Sequence, residues 1–138
     1  MIGEHTRDKF FVGMNFSDYL KMAIQNNGLS FRQIESQSAG LDHAYIYRLA
    51  KGDKTSPSEE TVKKLAKALR MTNRELNVLR LLSQQEIDDP LVDVMLSRPD
   101  LSWDTLECAA TMSNRGKRPA NQEEWLTYIK KIERFFDD

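Results

Sequence analysis

The sequence is poor in the residues that staple, ligate or catalyse. It holds one cysteine, Cys108, in 138 residues. A lone thiol cannot close a disulfide within the chain, and no zinc-ligand spacing surrounds it, which fits a reducing, cytoplasmic setting. The two histidines, His5 and His43, lie far apart in sequence. No Gly-rich phosphate loop, metal-ligand cluster or nucleophile–base arrangement is visible. An enzyme is therefore not expected, and neither is a cofactor or a metal. No stretch approaches the roughly 18 consecutive apolar residues of a membrane span. Met1 to Phe16 has no long apolar core and carries Glu4, Arg7, Asp8 and Lys9, unlike a signal peptide.

Gly and Pro are also scarce, at 6 and 4 residues, while 40% of the chain is hydrophobic and 30% charged. That balance suits a globular protein rich in helix. The net charge of −1 conceals an asymmetry. Residues 1–82 hold 13 Lys and Arg against 9 Asp and Glu, and residues 83–138 hold 7 against 12. A basic front half can meet a polyanion, and an acidic rear half would be repelled by one.

Helical spacing recurs along the chain, with no strand-like alternation and no internal repeat. Phe16, Leu20 and Ile24, with Met22 and Ala23 beside them, form one stripe that Gly28 ends. Ser30 is placed to cap a short helix through Ile34 and Gln37. Ala39, Gly40 and Leu41 read as a turn. Asp42 caps a third helix, which stops at Gly52. After a loop at residues 55–58, Ser58 caps a helix carrying Val62, Leu65, Ala66 and Leu69; Thr72 or Asn73 opens a fifth, with Leu76, Leu79 and Leu82 or Val78 inward. Pro90 is expected to break the helix, Leu91 to Leu96 to make a turn or two before Pro99, and Ser102 to cap a helix from Trp103 to about Asn114. Arg115 to Pro119 reads as a basic loop. Asn121 with Glu124 reads as a capping-box start for a helix bearing Trp125, Tyr128, Ile129, Ile132 and Phe136.

The stretches LSFRQIE, AGLDHAYIYRLAKG and PSEETVKKLAKAL, within Leu29 to Met71, resemble the helix-turn-helix domain of the phage-repressor and Xre class. Gly40-Leu41 stands at the turn, Ile46 and Leu49 at the buried positions of the recognition helix, and Lys51-Gly52 and Pro57-Ser58 at the segments that follow. Ile34 to Gly40 is one residue longer than the usual spacing, which places an extra residue, Ser38 or Ala39, at the end of helix two or in the turn. The resemblance implies an all-α fold: an extension at residues 1–15, a five-helix helix-turn-helix domain at 16–86, and a small helical dimerisation domain at 87–138. It also implies a double-stranded DNA operator as partner and transcriptional regulation, by repression, as function.

The residues themselves lead the same way. At 100° per residue, Ile46, Leu49 and Ala50 share one side of helix three, and Ala44, Tyr47, Arg48 and Lys51 share the other. A Tyr beside an Arg and a Lys suits a major groove that admits a helix. Arg48 can give two hydrogen bonds to guanine, Tyr47 and Ala44 can meet a thymine methyl, and His43 flanks the helix start. These four are the expected base contacts. Ser30, Arg32, Lys51 and Lys54 are the expected phosphate contacts, which add register and affinity but no sequence choice.

A helix-turn-helix monomer covers few base pairs, so a homodimer is expected, with Trp103, Trp125, Tyr128, Ile129 and Ile132 as its interface. An ordinary core within one chain would use the same residues equally well. Residues 101–138, with a Trp helix, Arg115-Gly116-Lys117-Arg118-Pro119 and a Gln-Glu-Glu-Trp helix start, also look like the C-terminal region of DdrO-type DNA-damage repressors. That likeness implies dimerisation and inactivation by a partner metallopeptidase cutting near Asn114–Arg115. The alternative from another class is a protein-interaction module, an antitoxin or adaptor with weak or no DNA affinity.

Overall fold

The computed structural model describes residues 13–54, 56–112 and 118–137, apart from the side chains of Phe136 and Asp137. Within these residues the fold is all-α, with eight helices: α1 (Phe16–Asn27), α2 (Phe31–Gln37), α3 (His43–Lys51), α4 (Glu59–Ala68), α5 (Asn73–Leu82), α6 (Asp89–Ser97), α7 (Trp103–Met112) and α8 (Gln122–Asp137). Most of the extension at residues 1–15, the end of the helix expected to reach Asn114, and Arg115 to Lys117 lie outside the described residues.

Local chemistry accounts for the ends of most helices. Asn15, Ser30, Asp42, Ser58 and Thr72 each accept a first-turn backbone N–H of the helix that follows. Ser30 with Gln33 and Thr72 with Glu75 complete reciprocal capping boxes. Gly28 and Gly52 close α1 and α3 in the left-handed conformation, at φ 71° and 94°. At α8, the Glu124 N–H donates to Asn121, but the Glu124 carboxylate accepts from the Ala120 N–H, 2.7 Å away, and not from the cap residue itself.

Some expectations need correcting. Pro90 does not break a helix, since α5 has already ended at Leu82. It stands in the first turn of α6, where a missing N–H costs nothing, and the helix runs on to Ser97. Just before it, β2 (Ile87–Asp88) pairs antiparallel with β1 (Gly13–Met14), a short ladder that two-residue strands are too brief to announce by alternation. On α1, Phe16, Leu20 and Ile24 are buried as expected, but Tyr19 joins them and Met22 is 42% exposed. On α5, Leu81 joins Val78, Leu79 and Leu82 inside, because this helix is covered on two sides, while Leu76 is only half-buried.

One apolar cluster runs from Phe16 through Leu20, Ile34, Ile46, Leu65 and Leu79 into Leu91, Met95, Leu106, Trp125, Ile129 and Ile132. The first five helices and the last three thus share a core, with α5 and α6 at the seam.

Candidate nucleic-acid interface

Helix α3 is anchored from below. Ile46 and Leu49 are fully buried and Ala50 nearly so. Two such side chains hold the helix with several kcal/mol, since truncating each costs about 2–5 kcal/mol. The opposite face therefore has a fixed orientation. It presents Ala44, Tyr47, Arg48 and Lys51, with the last three exposed and Ala44 half-exposed.

Tyr47 does not hang free in solvent. Its ring meets that of Phe31 edge-on, with centroids 5.5 Å apart, and the Lys51 ammonium lies 5.7 Å from the same ring. Phe31 is the first residue of α2, so α2 and α3 both set the pose of Tyr47. Phe31 was not foreseen as part of the site. A half-apolar pair at the start of one short helix and the middle of the next carries no local signal.

The cations differ in their partners. On α4, Lys63 and Lys64 face Glu59 and Glu60 one turn back, and Arg80 of α5 also meets Glu59. Arg32, Arg48 and Lys54 are exposed and carry no acidic partner among the described residues. Lys51 has only a long contact to Asp53, at 3.9 Å. The side of α3 thus carries cations that no acidic group among the described residues neutralises. Lys51 and Lys54 line a cleft with Asn15 and Ser17 at the start of α1, next to the close approach of Gly52 to Ser17. Ser30 spends its hydroxyl oxygen on the Gln33 N–H, so what it can offer an anion is the start of a capped helix rather than a free acceptor.

His43 is engaged. Its Nδ1 lies 2.7 Å from Glu35 Oε1 and 3.7 Å from Asp42 Oδ1, and its backbone N–H donates to the same Glu35 oxygen at 3.2 Å. Glu35, Asp42 and His43 bring one possible ligand atom each within 4.8 Å of one another. The sequence spacing did not reveal this grouping, because Glu35 comes from α2 across the turn. Both carboxylates already accept N–H groups at the start of α3, so the cluster is explained as a cap.

The extra residue belongs to the turn. Helix α2 stops at Gln37, and Ser38, Ala39 and Gly40 follow, with Ala39 at φ 55° and Gly40 at φ 116°. Buried Ser38 knits the turn by donating to the Glu35 carbonyl and accepting from the Leu41 N–H.

Of the residues expected at a dimer interface, Trp125, Ile129 and Ile132 are buried within this chain; Trp103 and Tyr128 are half-buried against the same core. The Tyr128 and Trp125 rings pack in a T-shaped pair, with centroids 5.9 Å apart. Asn114 and Arg115, the expected cleavage site, lie outside the described residues. No helix among the described residues is long and apolar enough to cross a membrane.

A Helix-turn-helix family model matches residues 36–76, from the end of α2 into α5. With the geometry above, this similarity supports a DNA-binding transcription regulator of the helix-turn-helix type. A search of curated proteins finds no relative that matches the chain.

Proposed function

We propose that the protein is a sequence-specific repressor that binds double-stranded DNA as a homodimer and places α3 in the major groove. The observation that carries this reading is the pairing of two faces on one short helix. Ile46 and Leu49 are locked in the core, and Tyr47, Arg48 and Lys51 stand opposite them in a pose set by the fold. In that pose Arg48, Tyr47, Ala44 and His43 read base edges, and Arg32, Lys51, Lys54 and the start of α2 at Ser30 meet phosphates. Two copies would double the contact, as half-site recognition requires. Since Trp125, Ile129 and Ile132 face inward, the dimer would use apolar groups left outside, such as Phe135, 82% exposed, and Met112, 51% exposed.

The test is enrichment of bound duplexes from a randomised pool by the full chain, followed by affinity at two salt concentrations. Enrichment of a two-fold symmetric site with steep loss on added salt supports the reading. If no sequence is enriched and the binding that remains ignores salt, the same face serves a protein partner instead. Sedimentation that finds only monomer at micromolar concentration would remove the dimer. Inactivation by a metallopeptidase near Asn114–Arg115 rests on resemblance alone. Incubation with a co-encoded metallopeptidase and its metal should then give one cut within residues 112–118 and abolish DNA binding.

A further inference from the structure

We infer that Glu35 is the positioning residue of the recognition helix, holding His43 in the Nδ1–H tautomer so that Nε2 is the atom offered to DNA. The inference rests on the DNA reading above and adds to it a residue that contacts no base. Glu35 sits on α2, while its carboxylate reaches past the turn to α3. One oxygen, Oε1, takes both the His43 backbone N–H, at 3.2 Å, and the ring Nδ1, at 2.7 Å. A carboxylate can only accept, so the ring nitrogen facing it carries the hydrogen. The partner of one ring nitrogen thereby decides the role of the other.

Free histidine favours hydrogen on Nε2, and Glu35 imposes the reverse. Neutral His43 then presents a bare Nε2 lone pair. That atom can accept from the exocyclic amino group of cytosine or adenine in the major groove, and it cannot donate to guanine. The opposite tautomer would reverse this preference. The charged groups against the ring are Glu35 on α2 and Asp42 at the cap of α3 itself; from α1, which also packs on α3, no ion pair reaches it among the described residues. The same Glu35 oxygen ties the first backbone N–H of α3 to α2, so the contact sets both the chemistry and the seat of the helix start. The longer turn, with Ser38 bound back to the Glu35 carbonyl, spans the eight-residue separation between Glu35 and His43.

The experiment has two arms on the full chain. In the first, ring nitrogen and carbon shifts of His43 are read by NMR with the imidazole neutral, without DNA. The wild type should show Nδ1–H. Glu35→Gln, which keeps an acceptor oxygen, should retain it, and Glu35→Leu should revert to Nε2–H. In the second arm, duplexes enriched from a randomised pool are compared. Glu35→Leu should bind the wild-type duplex about tenfold more weakly and change preference at one position per half-site. His43→Ala should lose a similar factor, and the double variant no more than either alone. Glu35→Gln should recover most of the affinity, which separates positioning from a general loss of fold.

An Nε2–H tautomer in a wild-type chain that does enrich a duplex overturns the role of Glu35 alone. So does a tautomer change in Glu35→Leu that leaves base preference untouched. A wild-type chain with the Nδ1–H tautomer that enriches no duplex overturns the DNA reading, and this inference with it.

Discussion

The guanidinium of Arg74 lies over the ring of Trp103, 5.8 Å from its centroid, and joins the first five helices to the last three. Arg74 stands in the first turn of α5. Its Nη1 donates to the carbonyls of Met95, at 2.9 Å, and Arg98; its Nη2 donates to those of Pro99 and Leu101. These carbonyls lie at the C-terminal end of α6 and in the turn beyond, where a cation is favoured; that of Arg98 also accepts the Leu101 N–H. Trp103 is thus held by this chain's own arginine.

Arg74→Ala should therefore destabilise the whole chain, by about 1.5–3 kcal/mol, since several charge-assisted bonds and a stacked ring are lost together. Arg74→Lys should recover only part, because an ammonium cannot fork to four carbonyls. Urea unfolding followed by Trp fluorescence and by circular dichroism checks this. Two separate transitions in the wild type would show that the halves do not share a core.

Arg48→Ala should weaken binding to an enriched duplex by roughly 1–3 kcal/mol while leaving affinity for random DNA nearly unchanged. Lys54→Ala should weaken both alike and reduce the salt slope by about one. Equal losses for Arg48→Ala on both kinds of DNA would remove its base-reading role.

Asp88 is buried, and Arg118 Nη2 donates to it at 2.6 Å. Burial lifts its carboxyl above the ordinary 3.8; the charge and hydrogen bond of Arg118 pull it back, and Asp89 adds to the lift. The folded chain thus holds this proton more tightly than the unfolded one. The associated stability is fully present below the unfolded value and declines as pH rises through the folded one. Arg118→Ala removes the opposing pull, so it should cost more at pH 7 than at pH 4. The loss at pH 7 should be on the order of 1–2 kcal/mol, the low end for a broken pair because the guanidinium side is open to water. Asp88→Asn should gain on the wild type as pH rises through this window. Chemical unfolding at the two pH values measures both, and a pH-independent loss in Arg118→Ala would show that the ion pair contributes nothing.

Arg70 follows the end of α4 at φ 56°, while its N–H and that of Met71 donate to the Lys67 and Ala66 carbonyls. A side chain there is strained, so Arg70→Gly should stabilise the fold by up to about 1 kcal/mol and raise Tm by a few degrees. Gly40, at φ 116°, is the opposite case. A Cβ there would meet only the end of Lys64, yet the backbone angle itself is hostile, and Gly40→Ala should cost about 1–3 kcal/mol. Calorimetry of the two variants should show shifts of opposite sign.

The sequence by itself determined the helices and the polar face of α3. Those features are local: a cap residue meets an N–H two or three positions on, and a buried stripe repeats every three or four residues. Ser30, Asp42 and Thr72 could be read as caps, and Ile46 and Leu49 as an anchored face, without any partner in view. Only the tertiary structure decided what each face meets. An apolar stripe says that Trp125, Ile129 and Ile132 are covered, but one chain's core and a second copy would satisfy it equally. Long polar side chains are harder still. Glu35 reaches His43 because the turn between them runs through a left-handed Ala39, Arg74 reaches residues more than twenty positions away, and Arg118 finds Asp88 beside a two-residue strand. Their partners depend on where whole helices come to rest, and no spacing along the chain encodes that.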